Sequence, residues 1–441
     1  MNKIILSMMA FAVSALCEAQ PWMNIHDNEG NVYSLEVNNV EYIDFGEYVE
    51  SGFTDYQTIA QQYFLLTKNE IPKLDTLAAE IGELTTSSSI QGGVLWPATK
   101  DNKGQEVSGL FRYSVPVRVD TTYWFTRYGV TPDIPRRKCC TIEFTADCEK
   151  FEIKGSHLGF DCIILVDGVR INSNVSFPKK GNGYNSFVLV KFDEKKKREI
   201  KLYYNDWAGF AGIVSDGEIT KCVKKRQLMC VDGDSVVEGL KSVNQIYSNW
   251  VGTVGLILDF DVINNGIGGS GFVREGNGGQ PNMVDRFDDR VAKYSPDILV
   301  FSAGINDWAA SDSAFEKSVD EYLRKATAID GCKVVACSPY CQYASVPNWE
   351  EKKSEIVRKK ALEYKVPFID YIHAMTYDAA GNCITNNKGT EAYHNIITEE
   401  NRATYLDLDS DTVHPNATGH AAIGKYIAHE LYKVLNRLEG F

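Results

Sequence analysis

Four short segments in the second half of this 441-residue chain carry residue types that could do chemistry together. Gly233-Asp234-Ser235 offers a hydroxyl. Asn264-Asn265-Gly266-Ile267-Gly268-Gly269 offers backbone that a ligand can approach closely, because glycine has no side chain. Gly304-Ile305-Asn306-Asp307 offers a side-chain amide. Asp411-Thr412-Val413-His414-Pro415 offers an imidazole and, three residues earlier, a carboxylate that one short loop can present beside it. A hydroxyl, a base, a carboxylate to orient the base and nearby N–H donors are the set that nucleophilic acyl transfer requires. Each segment also has an ordinary reading on its own. Asp234 or Ser235 can cap a helix, as can Asn306-Asp307, and Asp411 can be an N-cap with His414 on the surface.

The elements around these segments decide whether they meet. Leu228-Met229-Cys230-Val231 reads as a buried strand that turns at Gly233 into a helix expected from Val236 to about Val251. Further strands are expected at Phe260–Ile263, Ile298–Phe301, Val334–Cys337 and Phe368–Asp370. Helices are expected at Phe315–Ala328, Glu350–Tyr364 and Ala417–Leu438. This alternation predicts an α/β fold with a parallel sheet covered on both faces. Ligands of such sheets bind beyond the carboxyl ends of the strands, where all four segments fall. His420 and His429 lie on the last helix and read as structural, while His373 and His394, in or beside a polar insertion at 378–398, stay unassigned. Asp307 reads as a residue that fixes loop geometry.

In this order and at these strand ends, the four segments resemble the blocks of the SGNH (GDSL-type) serine hydrolase family. The resemblance covers about residues 226–438. It implies a flavodoxin-like, three-layer domain in which Ser235 is the nucleophile, His414 the base and Asp411 its orienting carboxylate. It also implies an oxyanion hole made by the N–H of Ser235, the N–H of Gly269 (with Gly268 a possible substitute) and the side-chain amide of Asn306. Val236 stands where the family's name-giving motif has leucine. The resemblance implies no metal and no organic cofactor.

Upstream, Met1–Ala19 has a charged start, a short apolar run and a small-x-small site, and is expected to be a signal peptide directing export. A lipid anchor on Cys17 is the competing reading, disfavoured by the bulky Leu16. Residues 20–50 carry a β-hairpin pattern, and 51–95 a helical and linker pattern built on Leu65, Leu74, Ala78 and Ile81. Residues 96–222 carry short Val-, Ile-, Tyr- and Phe-rich runs expected to form a β-sandwich of jelly-roll type. Lys195-Lys196-Lys197-Arg198 is expected to be a solvated hairpin turn. A net charge of −13 argues against nucleic acid as a partner, and no apolar run is long enough for a transmembrane segment. Cys332, Cys337 and Cys341 are close enough in sequence for one bridge of unassigned pairing.

Trp308 follows the amide segment, and Tyr340, Tyr343 and Trp349 follow the fourth strand. Trp308 and Tyr340 are the expected substrate-binding aromatics, in a polar cleft bordered by the glycine-rich stretch 272–282. A β-sandwich ahead of such a hydrolase domain resembles two-domain bacterial carbohydrate esterases. That resemblance implies an esterase removing O-acetyl or other small acyl groups from an acylated polysaccharide or oligosaccharide. A lipase or thioesterase, an esterase acting on peptidoglycan, and a catalytically inactive carbohydrate-binding protein are the alternatives.

Overall fold

The computed structural model describes residues 22–26, 32–36, 79–81, 85–97, 110–114, 117–120, 125–128, 140–156, 163–171, 186–204, 209–222, 226–242, 249–343, 346–370, 372–386 and 402–438. The expected leader at 1–19 with Cys17, most of the expected helical segment at 51–95, and His394 lie outside these residues. The chain forms two compact units, 1–59 and 60–441. In the first, Trp22–His26 pairs antiparallel with Val32–Glu36 as a hairpin.

Between residues 79 and 222 every described element is a strand. Two of them are long, β1 (Cys140–Ser156) and β2 (Ser186–Tyr204), and they pair antiparallel with a register break between Lys191 and Lys196. From sequence each reads as two short strands, because charged residues interrupt the apolar runs. The structure instead bends each strand at the interruption. Phe144 and Phe151 lie on β1 with ring centroids 5.8 Å apart, although seven residues of straight strand would separate them by roughly 23 Å. Phe111, beside the first half of β1, likewise meets Phe210 of β3 (Gly209–Ser215), which pairs with the second half, at 4.9 Å. The halves therefore face each other across a buried core that includes Phe111, Phe144, Phe151, Phe192 and Phe210.

Two expectations are corrected here. The Lys195–Arg198 run lies within β2 and is no hairpin turn; Arg198 is buried with its guanidinium 4.0 Å from the centre of the Phe192 ring. Ala79–Ile81, read as helical, is a strand paired with Val190–Phe192. A short apolar run has no decisive period, and an available sheet partner settles its conformation.

From residue 228 the chain builds a seven-stranded sheet. Its strands are β4 (Leu228–Gly233), β5 (Asp261–Asn264), β6 (Ile298–Ser302), β7 (Lys333–Cys337), β8 (Phe368–Asp370), β9 (Met375–Tyr377) and β10 (Cys383–Asn386). The spatial order is β5-β4-β6-β7-β8-β9-β10, parallel through β8 and antiparallel beyond it. The helix expected over 236–251 is not continuous. α1 (Ser235–Glu238) stops at Gly239, whose φ of 89° is a left-handed C-cap. α2 (Trp250–Leu258) starts afresh where the Asn249 side chain accepts from Gly252 N at 2.7 Å.

Alternation along the strands sorts the core onto two faces. Met229, Val231, Ile298 and Val300 pack with Trp250 and Val254 of α2 and with Ile427 and Leu431 of the closing helix at Ala417–Leu438. Cys230, Leu299 and Phe301 face the other way, toward Tyr322 and Leu323 of α3 (Asp312–Ala326) and Val357 of α4 (Asn348–Glu363). The closing helix is α5. Charged contacts join the β-rich region to this sheet: Arg226 reaches both Glu143, at 2.7 Å, and Asp259, at 2.7 Å, and Arg112 meets Asp261. Among the described residues no helix is long and apolar enough to cross a membrane. Cys332, Cys337 and Cys341 are free thiols, so the bridge entertained from their spacing is absent.

Candidate active site

The strand order creates a switch point. The chain leaves β4 for β5 on one side and returns to β6 on the other, so the loops after β4 and β6 diverge and leave a crevice between them. Ser235 stands at the end of β4 and Asn306 just beyond β6. Asp234 caps α1 by accepting from Val236 N at 2.9 Å, which fixes the turn that carries Ser235. A Cβ on Gly233 would lie 2.2 Å from the Ser302 carbonyl oxygen, so only glycine lets β4 pass its neighbour there.

His414 comes to Ser235 from the segment before α5. Its Nε2 is 2.8 Å from Ser235 Oγ and its Nδ1 2.8 Å from Asp411 Oδ2. Asp411 Oδ1 also accepts the backbone N–H groups of Val413, at 2.9 Å, and His414, at 3.1 Å. Burial pushes the Asp411 carboxyl up, but the bonds from the His414 ring and from these two amides outweigh it. The group ends below the usual carboxylate range. It is thus a charged acceptor facing Nδ1, which places the ring proton there and leaves Nε2 to take a proton from the hydroxyl.

The donors lie across the crevice. Gly269 has φ +78°, and a Cβ on it would sit 2.5 Å from Asn277 Oδ1. The N–H groups of Ser235 and Gly269 are uncommitted among the described residues, whereas Gly268 N donates to Glu238 Oε2 at 2.7 Å. Of the two glycines, Gly269 is therefore the one with a donor to give, and it lines the crevice. Asn306 Nδ2 donates to the Ser270 carbonyl at 3.0 Å, which aims the amide while leaving its second N–H available. Asp307 accepts from the backbone N–H groups of Phe272, Val273 and Arg274 at 2.8, 3.1 and 2.9 Å, tying the loop after β5 to the loop after β6.

An open cleft of about 520 Å³ surrounds Ser235 and His414. Trp308, Tyr343 and Trp349 line it, with Arg274, Asn277 and Gln342 as polar neighbours. Tyr340 does not. Its side chain is 2% exposed and packs in the core, because the chain stays buried from β7 through Gln342 and surfaces only at Tyr343. The structure thus places Trp308 in the cleft and corrects Tyr340 to a core residue.

Sequence reasoning missed the support beneath Ser235. Arg286 is wholly buried and donates to Asp232 Oδ1, to the Gly233 carbonyl and to Ser270 Oγ at 2.7, 2.7 and 2.9 Å. Tyr322 OH donates to the other oxygen of Asp232 at 3.0 Å. An arginine in a polar stretch before a short helix gives no signal of burial. His420, read as structural, is fully buried, bonded through Nε2 to the Leu240 carbonyl at 3.0 Å and pushed down to about 4 by burial, so it is neutral. His373 repeats the local turn of His414: its Nδ1 is 2.7 Å from Asp370 Oδ2, but its Nε2 faces Glu351 at 3.1 Å instead of a hydroxyl.

Residues 232–422 match the family described as GDSL-like Lipase/Acylhydrolase. No curated protein matches the chain. Among solved structures, the chain is similar to a family two carbohydrate esterase from Cellvibrio japonicus, with 11% identity and a TM-score of 0.51 over 82% of this chain and 100% of that one. It is also similar to a family two carbohydrate esterase from Clostridium thermocellum, solved with cellohexaose, with 14% identity and a TM-score of 0.46 over 69% of this chain and 96% of that one.

Proposed function

We propose, from the premise that residues 232–422 belong to the GDSL-like lipase/acylhydrolase family, that the protein is a serine esterase removing O-acetyl or similarly small acyl groups from a glycan. The observation that carries the reading is the line Asp411–His414–Ser235, with both contacts at 2.8 Å, opening onto a cleft that also holds Gly269 and Asn306. In this reading His414 takes the Ser235 proton as Oγ attacks the ester carbonyl, and returns it to the leaving alkoxide. Asp411 holds the ring and balances its charge. The N–H groups of Ser235 and Gly269 and the Asn306 amide receive the oxyanion. Water then repeats the sequence on the acyl-enzyme.

Small acyl groups are favoured because, among the described residues, the aliphatic lining of the cleft is limited to Leu240, Ile305 and Val413. A glycan is favoured by the exposed indole of Trp308 and by Tyr343 and Trp349 among polar amides. The fold shared with the Cellvibrio japonicus carbohydrate esterase is in keeping with that choice. In the same reading the bent β-rich sheet at 96–222 is a jelly-roll-like sandwich packed on a hydrolase domain at 226–441, and residues 1–19 direct export.

Hydrolysis of 4-nitrophenyl acetate, butyrate and octanoate by the wild type and by Ser235→Ala tests the proposal. Serine-dependent cleavage that falls steeply with chain length is the expected result. A preference for octanoate would transfer the protein to the lipase reading, and equal rates for the two proteins would leave a binding module.

A further inference from the structure

The cleft holds a cation with no protein partner among the described residues. Arg274 lines it and is exposed, and among the described residues its guanidinium meets no carboxylate and no carbonyl. This is unlike Arg112, Arg226, Arg286, Arg324 and Arg358, each of which reaches an acidic side chain. Among the described residues no Asp or Glu lines the cleft, and the neighbouring Glu275 is outside its lining. In a chain with 59 acidic and 46 basic residues, an arginine left without an acid beside the nucleophile is conspicuous.

The residue is also held in place. Its N–H donates to Asp307 Oδ1 at 2.9 Å and its carbonyl accepts from Gly271 N at 2.9 Å, so its backbone is pinned to the loop that carries Asn306 and Trp308. A side chain rooted on a fixed backbone loses less freedom on binding than one on a free loop. The guanidinium fork matches a carboxylate in two parallel hydrogen bonds. Trp308, 63% exposed, offers an apolar face on the same rim for a sugar ring.

We infer that the acylated glycan carries a carboxylate close to the ester, as in an O-acetylated hexuronate, and that Arg274 is the residue that selects it. This rests on the esterase reading above. The acyl group would sit at Ser235, and the uronate carboxylate would pair with Arg274 on the side of Gly269 and Asn277.

The test measures acetate release from O-acetylated oligogalacturonate and from the same oligosaccharide with its carboxylates methyl-esterified, which removes the charge and keeps the sugar. 4-Nitrophenyl acetate runs alongside. For the wild type at low salt, kcat/KM on the free acid is expected to exceed that on the methyl ester by about tenfold or more, mostly through KM, and added salt should compress the ratio. Arg274→Gln should bring the ratio close to one, while Arg274→Lys retains part of it. Equal wild-type values for the two glycans, or a Gln variant that lowers both alike, would overturn the inference. If cleavage of 4-nitrophenyl acetate is Ser235-dependent in that same experiment, the esterase reading survives such a result. If it is not, both fall together.

Discussion

Arg286 and Asp232 form an ion pair in which neither side chain reaches solvent, with Nη2 donating to Oδ1 at 2.7 Å. The pair lies one residue before the Gly233 turn, and the same guanidinium holds the Gly233 carbonyl and Ser270 Oγ. It therefore joins the strand end that carries Ser235 to the loop that carries Gly269. Arg286→Met would leave a buried carboxylate with the Tyr322 hydroxyl and the Gly233 N–H as its donors and no countercharge. Breaking a buried pair in this way costs about 3–5 kcal/mol. Urea unfolding should show a loss of that size, and kcat on 4-nitrophenyl acetate should fall because Ser235 and Gly269 lose their common anchor. A variant with unchanged unfolding midpoint would show the pair to be dispensable.

In the proposed mechanism the Asp411 carboxylate holds the His414 tautomer and the Asn306 amide receives the oxyanion, and one substitution tests each role. Asp411→Asn keeps the shape of the turn but offers Nδ1 an amide, which removes the charge that fixes the tautomer. A loss of about 10³–10⁴ in kcat is expected, with KM little changed. Asn306→Ala removes one of the proposed oxyanion donors and should cost about 10²–10³. If Asn306→Ala raised KM and left kcat intact, the amide would be a ground-state contact and no part of an oxyanion hole.

Gly268 and Gly269 make a paired test. Alanine at Gly269 must adopt φ near +78°, which costs about 1–2 kcal/mol, and its Cβ runs into the Asn277 amide at 2.5 Å. Alanine at Gly268 has an ordinary φ and meets side-chain ends, Glu238 Oε2 at 3.0 Å and Asn277 Nδ2 at 3.2 Å, and Gly268 N is already engaged by the Glu238 carboxylate. Gly269→Ala should therefore lower kcat by at least about tenfold, with Gly268→Ala much milder. The reverse order would assign the donor to Gly268.

The parallel sheet and the four loops at its edge were legible because buried strands are continuous apolar runs and the loops carry uncommon residue types. Two features were not. Asp-x-x-His occurs twice, at Asp370–His373 and Asp411–His414, and folds into the same turn both times. Only the partner brought to Nε2 from far away in sequence, Glu351 in one case and Ser235 in the other, distinguishes them. Burial of polar residues was equally hidden: Tyr340 and Tyr343 look alike in sequence, yet one is core and the other is cleft. The bends of β1 and β2 escaped for a related reason, since the contacts that define them, such as Phe111 against Phe210, are long-range.

Glu350 sits on α4 with no exposed surface, and among the described residues its carboxyl oxygens have no donor at ordinary hydrogen-bond geometry, only the weakly donating Cys341 thiol nearby. Burial pushes the group from 4.5 up to about 8; the Cys341 thiol opposes the rise, and the nearby Asp234 and Glu351 carboxylates add to it. The folded chain thus keeps a proton that the unfolded chain gives up. Stability from the neutral acid is fully present below the ordinary value of 4.5 and is lost as pH rises through about 8. Asp234, which burial pushes up to about 7, contributes in the same direction. Glu350→Gln keeps the shape and never ionises, so its stability should decline less between about pH 5 and about pH 8.5, leaving the slope that Asp234 supplies. The two proteins should differ by a few kcal/mol at the alkaline end and converge at the acid end. Urea midpoints at several pH values measure this directly. Parallel curves for the two proteins would mean that Glu350 is ionised in the folded state and compensated by a partner.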